Sequence, residues 1–246
     1  MDILYIVIPA YNEAANIKMV IEEWYPIVEK YNGNGNSRLL VIDDGSKDET
    51  YQIMQKCAES RPLLLAVTKA NGGHGATVLH GYHMALEQGA DYIFQTDSDG
   101  QTLPQEFHEF WKRRKHYDMV IGYRKGRKDG FSRIVVTKVL KAVILVCFHV
   151  NVKDANTPFR LMRAETLWHY IGEIPKEFNL SNVLISVIYE KNKVKTRYLP
   201  ITFRPRQGGK NSINIKSITK IGWKAILDFW KINRVLDIYK KKDKES

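Results

Sequence analysis

DYIFQTDSDGQ, residues 91–101, runs an apolar segment straight into two carboxylates, Asp97 and Asp99, held apart by one small residue. A strand buried on both faces reads as a short continuous apolar run, and it must stop where ionised groups begin. The stretch therefore predicts a buried strand followed by a polar exit loop. The same reading applies to LYIVI (4–8), LLVID (39–43), LLLAV (63–67), and MVIG (119–122). Helical patterns separate these runs. Ile17, Val20, Ile21, Trp24, Ile27, Val28 and Tyr31 follow the three-and-four spacing of one helix face. GSKDET offers Ser46 and Glu49 as a capping box for a second helix, and a third runs from about Gly75 to Gly89, with the last glycine as its C-cap.

Strand and helix alternating through short connections predict a mostly parallel α/β sheet with helices on both faces, which binds ligands at the carboxyl ends of its strands. Those exits read PAYNE (9–13), DDGS (43–46), KANGGHG (69–75) and DSDGQ (97–101), all polar, most of them acidic or glycine-bearing, and all on one edge. After Gly122 the rhythm changes to a basic loop, a long helix over 132–150, a DANTPFR segment, helix to about Asn192, a strand-like VKTRYLPITFRP, RQGGKNS and a last amphipathic helix. Without a Pro/Gly/Ser linker, residues 1–122 and 123–232 read as two halves of one domain, with 233–246 a basic tail.

At 246 residues and 44% hydrophobic, the chain can bury a sizeable core. Cys57 and Cys147 lie in apolar helical patterns and make no disulfide framework, which suits a reducing cytosolic compartment. MDILYIVIPAYNE lacks a basic n-region and a cleavage site, so it reads as a strand, not a signal peptide. The most apolar stretch, 135–150, is broken by Lys138 and Lys141 and falls short of the ~20 residues a membrane span needs. The formal net charge of +11 admits nucleic acid, an anionic membrane or a phosphorylated substrate as partner, or serves only solubility. Acidic strand exits and the lack of nucleic-acid recognition motifs argue against the first.

Two aspartates at i and i+2 in a turn can offer oxygens to one hard cation, Mg2+ or Mn2+, leaving its other positions to water and phosphate; an ordinary turn is the alternative. NGGHGATVLHG has Val78 where a G-x-G-x-x-G fingerprint needs glycine, and no P-loop motif occurs, so neither dinucleotide binding nor P-loop chemistry has support.

VIPAYNE, LLVIDDGSKDET, NGGHGA and TDSDGQ, in this order and spacing, resemble the family 2 glycosyltransferases, and IGYRKGR, FSRIVVTK, DANTPFRLMR and RPRQGGKNSI are similar to their polyprenyl-phosphate hexosyltransferase branch, typified by dolichyl-phosphate mannose synthase. The resemblance implies a GT-A fold and an inverting, metal-dependent transfer of a hexose or N-acetylhexosamine from a nucleotide diphosphate, UDP in preference to GDP, to a lipid phosphate. It assigns Pro9, Ala10, Tyr11, Glu13, Asp44, Gly75 and Asp97 to the nucleotide, and Asp97, Asp99 and Gln101 to the metal and diphosphate. Glu13 also suits the first turn of a helix, and Tyr11 a core.

On the acceptor side the resemblance points to Arg124, Arg133, Thr137 and Arg160 as ligands of the phosphate, with Arg206 and Asp154 beside the reacting centre. Arginine's planar fork suits phosphate. A hydroxyl acceptor would need Asp154 as base; a phosphate is already ionised and would leave Asp154 to organise the site or orient Arg160. An Asx turn before a strand is the structural alternative for Asp154. The helix over 132–150 and the last helix, with Trp223, Phe229 and Trp230 set among lysines, suit peripheral attachment at the inner membrane face. Transfer to a hydroxyl of a cell-surface glycan and a non-catalytic nucleic-acid-binding module are the competing readings.

Overall fold

A computed structural model describes residues 2–33, 35–124, 131–176, 178–205 and Phe229, with 131–139 as helical backbone. Seven strands form one sheet: β1 Leu4–Ala10, β2 Arg38–Asp43, β3 Leu64–Thr68, β4 Tyr92–Gln95, β5 Met119–Arg124, β6 Arg160–Arg163 and β7 Thr196–Ile201. Their order across the sheet is β3-β2-β1-β4-β6-β5-β7, and every pairing is parallel except those of β6 with β4 and β5. The helices are α1 Ile17–Lys30, α2 Thr50–Ala58, α3 His74–Glu87, α4 Phe107–Arg113, α5 Phe131–Phe148, α6 Ala164–Ile171 and α7 Ser181–Lys191.

The five apolar runs became β1 to β5 because each side chain in them meets one of two cores. One face of the sheet packs on α1, α2 and α4 around Trp24, Phe94, Phe107, Phe110 and Phe159, whose rings meet edge-on or tilted at 4.7–6.4 Å. The other packs on α3, α5, α6 and α7. Helix α1 buries Ile17, Val20, Ile21, Trp24 and Val28 as its spacing predicts.

Two expectations need correction. The helix expected to run from DANTPFR to Asn192 is interrupted at its start by strand β6, where Leu161 enters one core and Met162 the other. Four residues with arginine at each end carry no usable periodicity, so the flanking strands, not local preference, make this a strand. Ser46 does not cap α2: its hydroxyl accepts from the Asn12 amide at 2.9 Å, and Glu49 occupies the cap position without a side-chain bond. Residue 122, the expected boundary between the two halves of the domain, lies within β5.

The long helix α5 forms, burying Ile144, Cys147 and Phe148 while Leu145 and Val146 stand 54% and 69% exposed. Among the described residues, no helix is long and apolar enough to cross a membrane. The last amphipathic helix lies outside the described residues apart from Phe229, which is buried against Phe148 and Phe178.

Candidate active site

The chain winds from β1 outward to β3, then returns to the other side of β1 as β4. The crevice above the β1/β4 boundary is the topological switch point, where open α/β sheets bind ligands. PAYNE and DSDGQ leave the sheet on either side of it, and DDGS and KANGGHG close one flank. At the β1 exit Tyr11 is 42% exposed and so stands outside the core, while Pro9 and Ala10 are buried in the strand. Glu13 is buried, its carboxylate accepting from Asn16 Nδ2 at 2.7 Å and its amide donating to Thr50 Oγ1 at 2.8 Å, so it ties the start of α1 to α2.

Asp44 is 3% exposed and grips the next loop: Oδ1 accepts from Lys69 Nζ at 2.5 Å and from the Gly72 amide at 2.9 Å, and Oδ2 from the Gly73 amide at 2.8 Å. Burial pushes its carboxyl upward, but Lys69, the two glycine amides and Thr77 together outweigh that and hold it below the ordinary carboxylate value. Asp44, expected to serve the nucleotide, thus shapes the loop over residues 69–73. Gly75 follows from packing: a Cβ there would lie 2.2 Å from the Phe178 carbonyl oxygen. Its glycine is required by the 178–179 backbone, which presses on the first turn of α3.

The acid loop after β4 is closed by a buried hydroxyl pair, Thr96 and Thr102, at 2.7 Å. Ser98 is buried between Asp97 and Asp99, which are both partly exposed. Asp99 Oδ1 accepts from the Gln101 amide at 3.1 Å, and Asp97 Oδ1 lies 3.1 Å from His74 Nε2. Partial desolvation pushes the half-exposed His74 imidazole down, yet the adjacent Asp97 carboxylate more than offsets it, leaving the ring with a raised pKa. Gln101 braces the loop, its Nε2 donating to the Arg204 carbonyl at 3.1 Å. Arg204 completes that brace: Nε donates to the Gly100 carbonyl at 2.8 Å and Nη2 to Glu23 at 2.5 Å.

Neither His74 nor Arg204 was singled out by the sequence, although both lie in stretches it did mark, NGGHGA and RPRQGGKNSI. Two hard carboxylates, partly open, around a buried serine fit a divalent cation. Among the described residues no three His, Cys, Asp or Glu side chains gather into a cage, so such an ion would complete its shell with diphosphate and water oxygens.

Across the crevice, Arg124 ends β5 with its guanidinium 4.3 Å from the centre of the Phe203 ring. Arg133 and Thr137 belong to the first turns of α5, of which only the backbone is described, and Arg206 lies outside the described residues. Asp154 is buried at 8% exposure in the loop before β6.

Arg160 does not face an acceptor. It is wholly buried, and its guanidinium donates to the carbonyls of Thr157 (2.6 and 3.1 Å), Ala155 (3.1 Å) and Asn182 (2.9 Å) and to Ser186 Oγ (3.4 Å). Burial lowers its pKa. The residue expected to bind phosphate instead ties the 154–157 loop to α7, beside Gln95 and Ile121 in the sheet. A phosphate ligand needs an exposed fork, and this one is consumed by backbone.

Residues 5–171 match the model of "Glycosyl transferase family 2". A UDP-N-acetylglucosamine–dolichyl-phosphate N-acetylglucosaminyltransferase of Methanococcus voltae is 24% identical over 96% of this chain and 98% of its own. A dolichyl-phosphate beta-glucosyltransferase of Trichomonas vaginalis is 33% identical over 87% of this chain and 67% of its own. Among solved structures, glucosyl-3-phosphoglycerate synthase from Mycobacterium tuberculosis, in complex with Mn2+, UDP-glucose and glycerol 3-phosphate, superposes with a TM-score of 0.64 at 17% identity, covering 94% of this chain and 80% of that one. The sheet is thus that of the GT-A glycosyltransferases.

Proposed function

The chain belongs to glycosyl transferase family 2 and is a nucleotide-sugar-dependent glycosyltransferase; from that premise we propose that it transfers a hexose or N-acetylhexosamine from a UDP-sugar to a polyprenyl phosphate. The observation that carries the reading is that the strand order reverses between β1 and β4, with exposed Tyr11 at the exit of one strand and the partly exposed Asp97–Asp99 loop at the exit of the other. The dolichyl-phosphate acceptors named for two relatives support the acceptor, and the UDP named for one relative and one structural neighbour supports the base.

In this reading the base lies beside Tyr11, within the loop that Asp44 holds. Asp97 and Asp99 would hold a divalent cation, which when bound offsets the charge developing on the departing diphosphate. Arg124, Arg133, Thr137 and Arg206 serve the acceptor phosphate, whose oxygen attacks the anomeric carbon opposite the diphosphate and inverts it. Asp154, buried in its loop, suits an organising role, and the ionised acceptor asks for no base; this favours phosphate over a glycan hydroxyl. Exposed Leu145 and Val146 on α5, in a chain of formal net charge +11, support contact with the cytosolic face of a membrane that keeps the polyprenyl chain in place.

The test offers labelled UDP- and GDP-sugars with undecaprenyl or dolichyl phosphate, the unphosphorylated lipids and saccharide acceptors. Product in the lipid phosphate fraction alone is expected, and product only with hydroxyl acceptors overturns the proposal. Flotation with anionic liposomes should carry the protein upward, and substituting Leu145 and Val146 by serine should return a measurable share of it to the soluble fraction.

A further inference from the structure

We infer that His74 is a positioning residue, whose imidazole Nε2, 3.1 Å from Asp97 Oδ1, holds the Asp97 carboxylate so that its other oxygen is presented to the divalent cation and the diphosphate. The inference rests on the reading of Asp97 as a cation ligand, and it assigns a role to a residue in a different element, 23 positions away.

The backbone beneath the imidazole has little latitude. His74 opens α3, and on one side of it Gly73 has φ 86°, with a Cβ there falling 2.6 Å from Asn179 Oδ1. On the other side, Gly75 abuts the Phe178 carbonyl. The Gly73 amide is itself bound to Asp44. The start of the helix is therefore pinned by the 178–179 segment and by Asp44, and the ring reaches Asp97 using only its own two torsions.

Asp97 takes its partner from a different segment of the chain. Its neighbour Asp99 is steadied by the Gln101 amide two residues on, an ordinary turn bond, whereas the His74 bond to Asp97 comes from outside the loop. A ligand carboxylate whose rotamer is already fixed gives up less freedom when the cation binds, which is why partners of metal ligands typically change affinity 10- to 100-fold when removed. The two side chains are 49% and 29% exposed, so an ion pair between them contributes little to folding. Substituting His74 should leave the protein intact, which makes the effect readable.

The experiment titrates Mn2+ by electron paramagnetic resonance in the presence of UDP on the wild type, His74→Ala, His74→Gln and Asp97→Asn. Removing the imidazole should weaken Mn2+ binding by about 10-fold or more, with partial recovery in His74→Gln, whose amide can still donate. UDP affinity without metal, and the melting temperature, should stay close to wild type. In turnover the Mn2+ concentration needed for half-maximal rate should rise, with kcat at saturating metal nearly retained.

Mn2+ affinity in His74→Ala within about twofold of wild type, while Asp97→Asn loses binding, overturns the role of His74 and leaves the site reading standing. Wild-type affinity in Asp97→Asn overturns both.

Discussion

The two flanks of the crevice are built in different ways. On the donor flank, each loop leaves the end of a parallel strand and is held by groups a short reach away: Asp44 by Lys69, Gly72 and Gly73, and Asp43 by the Ser46 amide and Thr68. On the acceptor flank one buried cation, Arg160, gathers carbonyls from the loop before β6 and from α7. The donor flank can lose one member and keep its shape, because several bonds share the load. The acceptor flank depends on a single side chain whose loss leaves several polar groups buried without partners, and such groups cost more than the bonds they once made.

The largest effect should come where chemistry and not folding is touched. Replacing Asp99 by Ala should lower kcat/KM by about 10²- to 10³-fold, the usual cost of a lost electrostatic stabiliser, with a nearly unchanged melting curve. Measured turnover close to wild type would remove the acid loop from the site. Arg160→Met should do the reverse, losing about 3–5 kcal/mol of stability in urea unfolding. If instead it folds normally and loses only acceptor affinity, the buried brace is the wrong description and direct phosphate binding returns.

Gly75→Ala should cost about 1–3 kcal/mol, because the Phe178 backbone must retreat from the new methyl. That substitution tests whether the two flanks meet at α3, and a neutral result would uncouple them. Lys69→Met should cost about 2 kcal/mol at neutral pH, through one charged bond to Asp44. Asp44 has a folded pKa below its unfolded value, so its contribution is present above the ordinary carboxylate range and disappears as pH falls through the folded value. The stability gap between wild type and Lys69→Met should therefore narrow on acidification, and a gap independent of pH would remove Lys69 from that clamp.

Legibility followed the same division. Strands β1 to β5, helix α1 and the acid exits were readable because burial on both faces of a parallel sheet leaves an unbroken apolar run, and its end marks the site. Strand β6 was not readable: RLMR is too short to carry a period, and its pairing partners lie 65 and more residues upstream and about 40 upstream. Nor could the sequence tell that Arg160 turns inward, since an arginine free to bind a phosphate and one that binds carbonyls are the same residue until its burial is known. His74 escaped notice because its partner is remote in the chain.

By itself, the sequence determined the parallel framework and the acids at its exits, since hydrophobic periodicity and turn chemistry act over a few residues. Only the tertiary structure decided which cations turn inward, why Gly75 must be glycine, and which group steadies Asp97. Those outcomes depend on burial and on distances between segments far apart in the chain, and both come into being only when the sheet has closed over its two cores.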